Sequence, residues 1–170
     1  MQNYFELFSL DIAFSININN LESEYQTKIA NFHPDKYVNK SSNEKSLALQ
    51  NTSLINFAFD TLKSPLKRAA YLLELKGINA FDEKDTKMDE SFLFNQIELR
   101  EQLESITNDR DEIELDKFIE DISQKVKRNI EYLEKLFVLN EFEKIKNIVR
   151  ELKFYVQLKE HSKNMMDELL

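Results

Sequence analysis

Residues 17–64, NINNLESEYQTKIANFHPDKYVNKSSNEKSLALQNTSLINFAFDTLKS, decide the fold. In their first part Leu21, Tyr25, Ile29 and Phe32 recur at intervals of four, four and three. That spacing lines them along one face of a helix that an Asn17 cap begins and Pro34 ends. Ser41 and Glu44 form a capping box for a second helix, whose Leu47, Leu54, Ile55, Ala58 and Leu62 keep one face apolar until Ser64-Pro65. Two such stripes are buried when the helices pair antiparallel. Between them Pro34 fixes its own φ and drives His33 out of the helical region, so His33 and Asp35 stand on a stiff connection. A stiff connection suits recognition by another protein, because little conformational entropy is left to lose on docking.

The pattern stays helical beyond this hairpin. Ser64 caps a further helix with Pro65 in the favoured first-turn position, running through Leu66, Ala69, Leu72 and Leu73 to Gly77. Gly77 suits a left-handed helix cap. The polar, aperiodic INAFDEKDTK that follows reads as a linker over 78–88. Helices are expected near 89–106, 111–139 and 141–169, with Asn140 and Glu143 marking the start of the last. Leu115, Phe118, Ile119, Ile122, Val126, Leu133 and Phe137 form one long stripe, and Ile145, Val149, Leu152 and Val156 another. Both suit a three-helix bundle over 89–170. The expected fold is all-α.

Composition leads the same way. The chain has 170 residues, 31 acidic and 23 basic side chains, one glycine, two prolines, two histidines and no cysteine. So little glycine and proline leaves no material for the hairpins of an all-β fold or for a Gly-rich phosphate loop. Without cysteine there are no disulfides, no thiol nucleophile and no thiolate metal site, and His33 and His161 leave little for any other metal centre. No cofactor is expected. No apolar run approaches the length of a membrane span, and the start MQNYFELFSLD lacks a basic segment followed by an apolar one, so the cytoplasm is the expected location. Residues 1–77 hold eight basic and eight acidic groups, so the remainder carries the whole net charge of −8. Such a surface repels phosphate backbones and anionic lipid, and neither nucleic acid nor membrane is an expected partner. His33 and Asp35 lack an accompanying nucleophile or oxyanion donor, so an enzyme is not expected.

A second surface emerges from the helical increment of about 100° per residue. Leu99, Leu103 and Ile106 lie within about 40° of Phe92, whereas Leu93, Phe94 and Ile97 fall about 100° to 200° from it, beside Glu101 and Glu104. Phe154 lies about 180° from Ile145, away from its own helix's stripe. Apolar groups rimmed by charge mark an interaction surface, or else pack against the first domain or the linker.

The hairpin with its His-Pro-Asp-Lys turn, Ile55-Asn56-Phe57-Ala58-Phe59-Asp60-Thr61-Leu62 and Ser64-Pro65-Leu66-Lys67-Arg68-Ala69 resembles a J-domain over 1–77. The opening Asn3-Tyr4-Phe5-Glu6-Leu7-Phe8 is similar to that family's short first helix. Ala70-Tyr71-Leu72-Leu73-Glu74-Leu75 and Phe92-Leu93 through Ile97-Glu98-Leu99-Arg100-Glu101 look like the HscB family of iron–sulfur co-chaperones, with its oligomerisation-type second domain. The resemblance implies that Lys28, His33, Pro34, Asp35 and Lys36 face an HscA- or DnaK-type chaperone whose ATP hydrolysis the J-domain stimulates. It also implies that Leu93, Phe94, Ile97, Glu98, Glu101, Glu104 and Phe154 hold the scaffold protein IscU. J-domains commonly carry a basic face on the helix before the turn, but residues 20–31 here have Lys28 as their one base, beside Glu22 and Glu24. The other reading is a structural helical adaptor whose J-like hairpin binds no ATPase.

Overall fold

The computed structural model describes residues 2–170, and among them there is no strand. The contacts divide the chain into two units, Met1–Leu75 and Lys76–Leu170.

In the first unit, α1 (Tyr4–Leu7) is a single turn held by a reciprocal Asn3–Glu6 capping box. So short a helix persists only through its packing. Phe5 and Phe8 are fully buried, Tyr4 stacks on Tyr71 at 4.4 Å, and the Tyr4 N–H donates to the Tyr71 hydroxyl at 3.0 Å. Helix α2 (Ile18–Asn31) starts at Asn17, whose side chain accepts from the Asn20 N–H, and α3 (Ser42–Lys63) starts at Ser41, whose hydroxyl accepts from the Glu44 N–H. Tyr25 stacks on Phe59 at 4.0 Å and donates to Asn56 Oδ1 at 2.6 Å, binding α2 to α3.

Leu21, Ala48, Ile55, Ala58 and Leu62 are buried between these elements. Leu47 and Leu54, expected on the same core face, are instead exposed. Leu47 sits about 100° from buried Ala48, on the outward side of α3. Leu54 sits about 100° from buried Ile55 and points away from it. Helix α4 (Pro65–Leu75) buries Arg68, whose Nε donates to the Phe14 carbonyl at 2.7 Å and Nη1 to the Leu62 carbonyl at 2.6 Å. The guanidinium also lies over the Phe14 ring at 4.9 Å, so one side chain ties the loop before α2 to the α3–α4 corner. Such paired, hydrogen-bonded burial is the form in which a charge is tolerated inside.

In the second unit Gly77 has φ +77°, the left-handed conformation expected of it. Helices α5 (Glu90–Asn108), α6 (Glu112–Val138) and α7 (Phe142–Leu169) form the bundle. Asn140 is not the cap of α7. It has φ 53° and its N–H returns to the Phe137 carbonyl, so it closes α6 in the left-handed region that asparagine tolerates.

Residues 78–88, expected as a linker, are fastened to α7. Arg150 donates from Nε to the Ala80 carbonyl (2.7 Å) and from Nη1 to the Lys87 carbonyl (3.1 Å). Asp85 pairs with Lys146 at 2.8 Å and lies 3.2 Å from Arg150 Nη2. The hydrogen bond from Lys146 leads in holding the Asp85 carboxyl down at about 2, with the Arg150 charge adding to it. A carboxyl depressed in the fold stabilises it above the unfolded acid range, and that contribution is lost as pH falls toward the folded value. Asp85→Asn should therefore lower the urea midpoint at neutral pH, and the gap to wild type should narrow between about pH 5 and pH 3. A gap constant over that range would mean that Asp85 contributes no charge-dependent stability.

Candidate functional site

Two exposed surfaces, one in each unit, hold the residues singled out in the sequence. The first is the turn after α2. The last turn of α2 carries Lys28, half-buried, and the chain leaves the helix at Phe32. Residues Pro34–Tyr37 then wind into one 3₁₀ turn with His33 at its N-cap in an extended conformation (φ −59°, ψ 137°). That is the geometry Pro34 imposes on the residue before it. Two bonds stiffen the turn: the Lys36 N–H to the His33 carbonyl at 3.0 Å, and the Tyr37 hydroxyl to the Asn31 carbonyl at 3.5 Å, the latter long and weak.

His33 Nδ1 accepts from the Asp35 N–H at 3.2 Å and lies 3.5 Å from Asp35 Oδ2. One nitrogen cannot accept the first contact and donate to the second. The aligned N–H bond assigns Nδ1 as acceptor, which puts the neutral ring's proton on Nε2. Pro34, Lys36 and both of these side chains are exposed, so the turn offers a partner an N–H donor, a carboxylate and an ammonium on a constrained backbone. No third group converges on His33 and Asp35 to suggest catalysis, and among the described residues no cluster of potential metal ligands is found.

The second surface is on α5. Leu93, Phe94 and Ile97 are 42%, 63% and 53% exposed, so they stand outside the core of the bundle. Glu98, Glu101 and Glu104 continue this face toward the helix C-terminus and are exposed. Their unshared neighbours on α5, Phe92, Leu99 and Leu103, belong to the core with Leu115, Phe118 and Ile122 of α6.

Phe154 departs from expectation. It is only 8% exposed, meets Phe92 edge-on at 5.7 Å and Tyr155 at 5.5 Å, and has the Arg100 guanidinium over its ring at 5.3 Å. A single stripe through Ile145, Val149 and Leu152 leaves Phe154 on the outside, but α7 changes neighbours along its length. Its first half is flanked by α6 and residues 78–88, its second by α6 and α5, so the buried face turns from Ile145 and Val149 to Phe154, Tyr155 and Leu158. Asn95 locks that second contact by donating to the Tyr155 hydroxyl at 2.9 Å. The cover that Arg100 gives Phe154 was not legible beforehand, since in sequence Arg100 is one charge in a charged segment. A groove of about 470 Å³ runs on from Arg100 between α5 and α7, floored by Leu103, Phe154 and Leu158. Phe154 thus meets this surface as its floor rather than as a protruding anchor.

The second unit matches the family model described as the HSCB C-terminal oligomerisation domain, over residues 88–163. Over 169 residues the chain is 37% identical to a co-chaperone protein HscB homolog of Vibrio cholerae serotype O1, covering 99% of each chain. Among solved structures, it is similar to the chaperone HscB from Vibrio cholerae, with a TM-score of 0.87 at 36% identity over 99% of this chain and 100% of that one. The human co-chaperone protein HscB gives a TM-score of 0.89 at 28% identity, over 96% and 81% of the two chains.

Proposed function

The chain belongs to the HscB family of co-chaperones, and from that premise we propose that it serves iron–sulfur cluster assembly in the cytoplasm by joining two proteins. Residues 1–77 act as a J-domain that stimulates ATP hydrolysis by an HscA- or DnaK-type chaperone. The second unit delivers an IscU-type scaffold. The observation that supports this best is the pairing, in one chain, of a constrained, exposed His33-Pro34-Asp35 turn with an exposed Leu93, Phe94 and Ile97 face. Either alone fits a binding module, whereas both together fit a protein that brings a client to a motor.

On the first surface, the Asp35 carboxylate and the His33 Nε2–H address a basic, acceptor-bearing site, with Lys36 and Lys28 as flanking charges. On the second, Leu93, Phe94 and Ile97 leave water on docking. Glu98, Glu101 and Glu104 then select a basic partner and speed its arrival. Phe154 supports the face from below.

The test is ATP turnover by purified HscA-type chaperone with the protein alone, the scaffold alone and both. Stimulation by the protein that grows further with scaffold is expected. No stimulation under any of these conditions would leave the helical adaptor as the better reading.

A further inference from the structure

Where α5 begins, a cleft of about 300 Å³ opens between its first turn, α6 and α7. Met88, Phe92, Tyr132 and Ile148 give it apolar walls, and exposed Asp89 and half-buried Glu151 stand among them. Ligand sites span roughly 300–1,000 Å³, so a cleft at the lower end of that range suits one long side chain.

Charge indicates which. Of the two bases that line the cleft, Lys144 pairs with Glu141 at 3.3 Å and Arg150 with Asp85 at 3.2 Å, so each already has its counter-charge. Among the described residues no base pairs with Asp89 or Glu151, and none donates a hydrogen bond to the Glu151 side chain. Burial pushes the Glu151 carboxyl up from its ordinary range, and the charge of Asp89 adds to this. A carboxylate partly withdrawn from water without a partner costs free energy that an entering cation offsets. An anion is not favoured there, because Asp89 and Glu90 already offset the positive end of α5.

Position indicates whose side chain it is. Asp89 precedes Leu93 by one turn, about 40° round α5, and Phe92 both walls the cleft and meets Phe154 edge-on at 5.7 Å. The cleft therefore continues the Leu93, Phe94 and Ile97 face toward the start of the helix.

We propose that this cleft is a further subsite for the scaffold, taking one lysine or arginine whose methylenes lie along Phe92 and Ile148 while its charge meets Glu151 and Asp89. The assignment rests on the reading of the second unit as the part that holds the scaffold. Leu93, Phe94 and Ile97 remain the apolar anchors, and Glu151 fixes where along α5 a basic partner comes to rest.

The experiment is calorimetric titration of the full chain with a purified IscU-type scaffold, beside thermal melts. Glu151→Gln should weaken binding about fivefold at about 50 mM salt, and the difference should shrink by about 300 mM. Its melting temperature should equal or exceed that of wild type, since it removes an unpaired, half-buried charge. Glu151→Lys places a base inside the cleft beside Asp89 and should weaken binding further. Glu160→Gln removes an equal charge about 180° away on the exposed side of α7 and should bind as wild type. Wild-type affinity for both Glu151 variants would overturn the subsite, as would a Glu160→Gln protein that loses as much affinity as Glu151→Gln, or a Glu151→Gln protein that melts well below wild type. A wild type that does not bind the scaffold would overturn the scaffold reading itself, and the subsite with it.

Discussion

His33→Gln should abolish stimulation of the chaperone's ATP hydrolysis while leaving the protein folded. The imidazole is exposed and makes one aligned hydrogen bond, from the Asp35 N–H to Nδ1, so its loss costs at most about 1 kcal/mol and shifts the melting temperature by a few degrees at most. The turn survives because Pro34 and the Lys36 N–H bond to the His33 carbonyl do not depend on the side chain. What disappears is a donor at Nε2, at a fixed distance from the Asp35 carboxylate, on a backbone that has already lost its freedom. Glutamine has longer reach and more rotamers and cannot reproduce that placement. Asp35→Asn should fail in the same assay, since a neutral amide loses the charge-assisted bond to a basic site. If both variants stimulate like wild type, at the same plateau, the turn is not the contact that drives ATP turnover.

Leu93→Ala/Phe94→Ala should weaken scaffold binding at least tenfold, which is about 1.4 kcal/mol, with an unchanged melting temperature. Leu93 and Phe94 are 42% and 63% exposed and lie outside the core, so folding depends little on them, whereas burying the exposed part of each against a partner would contribute on the order of 1 kcal/mol apiece. Phe154→Ala should do the opposite. Removing a buried ring from between Phe92 and Tyr155 leaves a cavity and strips Arg100 of its contact, for a loss of about 3–5 kcal/mol of stability. Any effect of that variant on binding then reads through the shape of the α5–α7 contact. Calorimetric binding of the scaffold beside thermal melts of both variants separates the cases. A double variant that binds normally, or a Phe154→Ala protein that melts with wild type, would contradict the division between exposed anchors and buried floor.

Local chemistry in the chain determined the helices and where they stop. Asn17, Ser41 and Ser64 each cap the backbone N–H three residues on, Pro34 ends one helix and Gly77 takes the left-handed form after another, because each of these depends on neighbours within a turn. The His33-Pro34-Asp35 turn and the outward Leu93, Phe94 and Ile97 were legible for the same reason: a stiff dipeptide and a helix apolar on two sides are properties of short segments. Tertiary structure decided what depends on which element lies alongside. A helical wheel assumes one neighbour for the whole helix, so it could not show that α7 exchanges residues 78–88 for α5 halfway along and draws Phe154 inward. Nor could it show how narrow the covered strip of α3 is, with Ala48 and Ile55 buried while Leu47 and Leu54, one residue back from each, stand exposed. Asn140 was misplaced because asparagine suits both a helix start and a left-handed close, and only the backbone, at φ 53°, selects between them. The fastening of residues 78–88 depends on Lys146 and Arg150, which lie 61 residues beyond Asp85 and 70 beyond Ala80 in sequence. Pairing over such distances carries no local signal, because the entropy of closing the loop is offset only once both ends sit on a formed fold.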